Sequence, residues 1–243
     1  MIDNLIRQHL EGFSARRILD VGPGYSAFSR TAAVTTGAEE ITYLDFDQKV
    51  LAWQLEEARS AGIRAVAVTL RLDETGLADL PGPFDIIHCQ EVLEHLPNAP
   101  AVAAALRQQL SESGRMIITV PSRLSERWLK FLNPAYMKDE PFGHVNQYDR
   151  RGLLKLLTDA GLTPIVVIPT QPQYFIAHTW FYGSRMQSEP SSGKVLTGGV
   201  RGAIFSRLIR GSRWFFEKTG PSFWGGLLPR NYFVVAIIDK HNL

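Results

Sequence analysis

The stretch ILDVGPGYSA, residues 18–27, joins an apolar run to a turn carrying two glycines. ARRILDVG reads as a short buried strand, and the residues after the turn read as a helix, so the segment is a strand–turn–helix unit. Glycines at 22 and 24 let the backbone turn sharply and approach a ligand closely, where a side chain would collide with it.

Working outward, Ile2, Leu5, Ile6, Leu10 and Phe13 recur at helical spacing and predict an amphipathic lead-in helix. Downstream, ITYLDFD predicts a second strand, KVLAWQLEEARSAG a helix ending on Gly62, IRAVAVTLRLD a third strand and FDIIHC a fourth. EVLEHL and AVAAALRQQLSESG read as helix, and RMIITVPS as the fifth strand. Residues 121 to about 149 read as a loop with a short helix, RRGLLKLLTDAGL as a helix, TPIVVIP as the sixth strand and YFVVAIIDK as the seventh. Alternating strands and helices predict a parallel sheet covered on both faces, with ligands at the carboxyl ends of its strands.

The turn also satisfies the G-x-G-x-x-G/A pattern of dinucleotide-binding folds, and Asp45 lies about 20 residues on, where a ribose-binding acid belongs. A nicotinamide-dependent oxidoreductase is therefore one reading. Against it stands Asp20, because an acid beside an anionic pyrophosphate is unfavourable and one beside a cationic amino acid moiety is favourable. Asp20-Val21-Gly22-Pro23-Gly24 after a strand resembles the first motif, D-x-G-x-G, of the class I S-adenosylmethionine-dependent methyltransferases. The resemblance, which covers most of the first 165 residues, implies a doubly wound, seven-stranded Rossmann-like α/β sheet with the last strand antiparallel, and a length of 243 residues fits a single domain spanning 1–243. The resemblance also implies that Asp20, Gly22 and Gly24 form the cofactor loop, that Asp45 binds both ribose hydroxyls, and that Phe46 packs on the adenine. Asp73 falls where the family places the acid for the adenine amine, although a solvated turn acid is the alternative there, and Gln90 joins the cofactor-binding set. Asp47 reads as a turn acid.

After the fourth strand, CQEVLEHLPN places Glu91, Glu94 and His95 at i, i+3 and i+4, on one face if the segment is helical. His144, in PFGHVNQYDRRGLL, sits in a loop that can reach the same rim. The set resembles the divalent-metal site of ubiquinone-type O-methyltransferases and of small-RNA 2′-O-methyltransferases. That resemblance implies that Glu91, Glu94, His95 and His144 meet around one cation, at about 2.0 to 2.3 Å from a common point. The alternatives are a polar helical first turn with a histidine on a loop carbonyl, and His95 or His144 as a plain general base. His88, inside the strand, reads as packing.

The composition, 45% hydrophobic and 21% charged, is that of an ordered globular protein. A net charge of +2 carries no global signature of nucleic-acid binding. The single cysteine, Cys89, excludes an internal disulfide and fits a reducing, cytoplasmic setting. The charged N-terminus does not read as a signal peptide, and no apolar run approaches the ~20 residues of a membrane span. About 60 residues separate the last two strands, against a usual connection of roughly 2 to 6, so 170–230 is expected to cover the substrate. Within it, residues 200–218 form a basic amphipathic pattern that serves an anionic membrane surface, a polyphosphate ligand or simple packing. Its aromatics and arginines fit a small or lipid-linked acceptor, sugar or quinone-like, with RNA as the competing anion. A methyltransferase-like subunit without catalysis is the non-enzyme alternative.

Overall fold

A computed structural model describes residues 2–72, 76–132, 143–170 and 229–239, together with Arg207. Helix α1 (Ile2–Leu10) buries Ile2, Ile6 and Leu10, one turn apart on one face, and leads to β1 (Arg17–Val21). Then follow α2 (Phe28–Thr36), β2 (Glu40–Asp45), α3 (Gln48–Ser60) and β3 (Arg64–Thr69). The second half comprises β4 (Phe84–Gln90), α4 (Ala99–Gln108), β5 (Leu110–Pro121), α5 (Arg123–Leu132), α6 (Arg150–Asp159), β6 (Leu162–Thr170) and β7 (Asn231–Ile238).

These strands form one sheet in the order β3-β2-β1-β4-β5-β7-β6. Pairing from β3 to β5 is parallel, and β7 runs antiparallel to both β5 and β6, as the family resemblance implies. From β1 the chain winds outward to β3 and then crosses back to β4 on the other side of β1. The carboxyl ends of β1 and β4 therefore flank the crevice where open α/β sheets bind ligands. Alternation along β1 sends Ile18 into the layer beneath α1, α2 and α3, and Leu19 and Val21 into the layer beneath α4 and α6. Each fully buried leucine or isoleucine in these layers contributes about 1.5–3 kcal/mol. Asp47 caps α3, its Oδ1 accepting from Lys49 N at 2.8 Å, and Asp149 caps α6 through Gly152 N at 2.7 Å.

Two elements depart from the sequence reading. Strand β5 begins at Leu110, because the chain leaving α4 is captured by the sheet: Phe84 N donates to Gln109 O at 2.8 Å and Ser111 Oγ to Asp85 Oδ1 at 3.1 Å. EVLEHL is not an α-helix. Glu91 adopts φ +51°, which breaks the helical path, and only Leu93–His95 close a short 3₁₀ turn.

Thr170 pairs with Asn231, so the long segment between β6 and β7 leaves and rejoins the sheet at one point. Apart from Arg207, residues 171–228, which include most of the amphipathic stretch at 200–218, lie outside the described residues. Among the described residues no helix is long and apolar enough to cross a membrane.

Candidate active site

The side expected to take the cofactor is built on the turn after β1. Gly22 and Gly24 have φ of +61° and +50°, which only glycine adopts without strain, and Gly22 N donates to Leu44 O at 2.8 Å. From α3, the buried Gln54 reaches under the turn. Its Nε2 donates to Gly24 O at 2.8 Å and Ser26 O at 3.0 Å, while its Oε1 accepts from Arg30. Gln54 was not among the residues expected to act here, yet a signal exists: it is the polar member of the buried stripe Val50, Leu51, Gln54, Ala58.

Asp20 is fully buried, its Oδ1 held 3.1 Å from His88 Nδ1 on the adjoining strand, and its Oδ2 has no hydrogen-bond partner among the described residues. A buried carboxylate oxygen left open in a turn of backbone amides fits the cationic amino acid end of S-adenosylmethionine. His88 thus touches Asp20, expected to bind the cofactor, as well as packing beside the Phe28 ring, 6.0 Å away. At the end of β2, Asp45 Oδ1 accepts from Asp47 N at 2.9 Å, and burial raises its carboxyl above the ordinary aspartate range. Phe46 is 44% exposed, with the Arg71 guanidinium 5.5 Å from its ring centre. Gln90 ends β4, its Oε1 buried and without a hydrogen-bond partner among the described residues. Asp73 lies outside the described residues.

The second constellation adjoins this loop, since a Cβ placed on Gly22 would stand 2.5 Å from Cγ2 of Val92. Glu94 is 1% exposed, and neither of its carboxylate oxygens has a hydrogen-bond partner among the described residues. Its backbone carbonyl accepts from Val145 N at 2.9 Å and Asn146 N at 3.0 Å. Asn146 Nδ2 and Tyr148 Oη also donate to Leu93 O, at 3.0 and 3.2 Å, so the loop before α6 is laced onto the turn after β4. That lacing brings the His144 ring to 4.6 Å from His95, edge to face. Ligand atoms of Glu94, His95 and His144 lie within 4.8 Å of one another.

Three of the four residues expected to converge therefore do so, and Glu91 is not part of this cluster. Its positive φ rotates it out of helical register with Glu94 and His95. Glu91 Oε1 instead accepts from Thr119 Oγ1 on β5 at 3.2 Å and from Asn231 Nδ2 on β7 at 2.9 Å. Burial pushes the Glu94 carboxyl well above its usual range, and the nearby Glu91 charge pushes it further; Glu91 itself is raised by burial and drawn down by Arg230. Behind the cluster, the buried Glu126 of α5 meets His144 Nδ1 at 2.7 Å through Oε2, and Arg230 Nη1 stands 3.8 Å from its Oε1. Nothing in the sequence around Glu126 or Arg230 marks either residue, because each acts only on segments far along the chain.

Residues 1–167 match the family described as a methyltransferase domain. The chain belongs to the class I S-adenosylmethionine-dependent methyltransferase family. Among curated proteins this methyltransferase is similar to the ubiquinone biosynthesis O-methyltransferase of Idiomarina loihiensis, 27% identical over 128 residues that cover 51% of this chain and 50% of the relative. The chain spans about half the length of the curated relatives it matches. The fold is shared with an S-adenosylmethionine-dependent methyltransferase from Clostridium acetobutylicum, at TM-score 0.59 and 11% identity over 97% of this chain and 90% of that one. It is shared too with the plantazolicin methyltransferase BamL, solved with SAH, at TM-score 0.58 and 16% identity over 98% and 84%.

Proposed function

We propose that this methyltransferase moves the methyl group of S-adenosylmethionine to a hydroxyl of a small or lipid-linked acceptor, quinone-like or sugar, and that Glu94, His95 and His144 hold a divalent cation beside that hydroxyl. The observation that carries the reading is the buried Glu94 carboxylate, open at both oxygens and grouped with two imidazoles where the turn after β4 meets the glycine loop. A buried acid with no partner costs several kcal/mol as an anion, and a cation offsets that cost. Mixed carboxylate and imidazole ligation suits Mg²⁺, Mn²⁺, Fe²⁺ or Zn²⁺.

Each residue then has a task. Asp20 offers Oδ2 to the cofactor's ammonium, and Asp45 accepts from the two ribose hydroxyls through its carboxylate. Phe46 flanks the adenine, and Gln54 holds the turn in the shape that admits the ligand. A sulfonium supplies an activated methyl group, so the protein's part is positioning and exclusion of water. Bound to Glu94, His95 and His144, a divalent cation would supply Lewis acidity that lowers the acceptor hydroxyl's pKa. Glu91, braced by Thr119 and Asn231, faces a different task and shapes the wall between β5 and β7.

The names of the curated relatives support oxygen as the methylated atom and a quinone-like acceptor. The segment 171–228 is proposed as the acceptor's cover, and the basic pattern at 200–218 as its contact with an anionic lipid surface. The decisive experiment incubates the protein with methyl-labelled cofactor and a panel of quinol, glycolipid and RNA acceptors, with SAH binding measured by calorimetry alongside. SAH binding together with label on a quinol or glycolipid hydroxyl supports the reading. Label on RNA alone, or NADH binding in place of SAH, overturns it. Sedimentation with anionic vesicles at low salt tests the surface contact.

A further inference from the structure

We propose that Glu126 is a positioning residue: it holds the proton of His144 on Nδ1, which leaves Nε2 as the ring nitrogen that bears the lone pair. The inference rests on the cation reading only for the use made of that lone pair. Glu126 Oε2 lies 2.7 Å from His144 Nδ1, with the Glu126 side chain buried at 1% exposure and that of His144 largely so at 10%. A carboxylate can only accept, so the nitrogen facing it carries the hydrogen. In a neutral ring the other nitrogen, Nε2, then bears the lone pair.

Glu126 is itself held from three directions. Its backbone N donates to Ser122 O at 3.0 Å in the first turn of α5, and Ser125 Oγ ties that turn to Arg230 O at 3.0 Å. Arg230, at the entry to β7, places a guanidinium 3.8 Å from Glu126 Oε1 and donates to Ser125 Oγ at 3.3 Å. The next residue, Asn231, braces Glu91. Two consecutive residues where the chain enters β7, Arg230 and Asn231, therefore each contact one carboxylate of the site. A carboxylate bonded to the far nitrogen of a ligating histidine fixes ring orientation and raises basicity, and removing one typically costs 10–100-fold in metal affinity.

The test uses the full-length protein labelled with ¹⁵N at histidine ring nitrogens, as wild type, Glu126→Ala and Glu126→Gln, with His144→Asn to assign the resonances. Long-range ¹H–¹⁵N correlation, recorded where histidine is neutral, reports the tautomer, and titration of Mn²⁺ alone followed by EPR reports cation affinity. Wild-type His144 is expected to carry its proton on Nδ1. Glu126→Ala is expected to release the ring toward the Nε2–H form and to weaken Mn²⁺ by about 10–100-fold. Glu126→Gln, whose amide oxygen still accepts, keeps the Nδ1–H form. SAH affinity stays within about twofold in all three, which also certifies folding. A wild-type proton on Nε2, or an Ala variant unchanged in tautomer, overturns the inference. If wild type binds no Mn²⁺ while the tautomers behave as expected, the cation reading fails and the role of Glu126 stands.

Discussion

Substituting Gly22 by alanine tests how closely the glycine turn after β1 is fitted to the turn after β4. Two costs are separable. The φ of +61° places any L side chain in the left-handed region, at roughly 1–2 kcal/mol. The new Cβ would also stand 2.5 Å from Cγ2 of Val92, a stiff, β-branched residue only 8% exposed, and overpacking of that kind costs about 1–3 kcal/mol. Gly22→Ala is thus expected to lose roughly 2–5 kcal/mol of stability. Gly24→Ala is the internal control: its φ is +50° but no atom lies within 4 Å of its Cβ position, so about 1–2 kcal/mol is expected. Urea unfolding monitored by fluorescence gives both values, with midpoints compared at constant slope. Adding Val92→Ala to Gly22→Ala should give a favourable coupling of about 1–3 kcal/mol, which the same change beside Gly24→Ala should not. Equal losses at 22 and 24, or strict additivity with Val92→Ala, would refute the claim that Val92 limits the turn.

Asp45→Ala removes a carboxylate proposed to accept from two hydroxyls, and SAH affinity measured by calorimetry should fall by about 3 kcal/mol, more than 100-fold. Because burial raises the Asp45 carboxyl and binding needs the carboxylate, wild-type SAH affinity should also fall as pH drops through that raised value, a loss absent in Asp45→Ala. Chelation with EDTA should abolish turnover in a methyl-transfer assay while leaving SAH affinity nearly intact; full activity in chelator would reassign His144 as a general base. Glu94→Gln should leave the metal-free protein as stable as wild type or more so in urea, since burial disfavours the Glu94 anion, while abolishing turnover; a large loss of stability would count against an open, unpartnered carboxylate.

Sequence by itself determined the alternation of strand and helix, the glycine turn, and the placing of Asp20 and Asp45 at the ends of β1 and β2. Each of these is a short-range property: periodicity over one element, or a residue type required by the turn it occupies. The antiparallel β7 was legible only through family resemblance, because its partners β5 and β6 are chosen by sheet closure rather than by anything local to YFVVAIIDK. The candidates for the second constellation came from family resemblance, and tertiary structure decided which of them meet. Glu91 leaves the cluster because its backbone turns to φ +51°, a conformation no pattern in EVLEHL announces. His144 joins it because Val145 and Asn146 bond a carbonyl about 50 residues earlier in the chain. Glu126 and Arg230 reach the site across 18 and more than 100 residues of chain, respectively. Contacts of that separation depend on how the layers pack, and a buried carboxylate's role depends on which donors the packing leaves beside it.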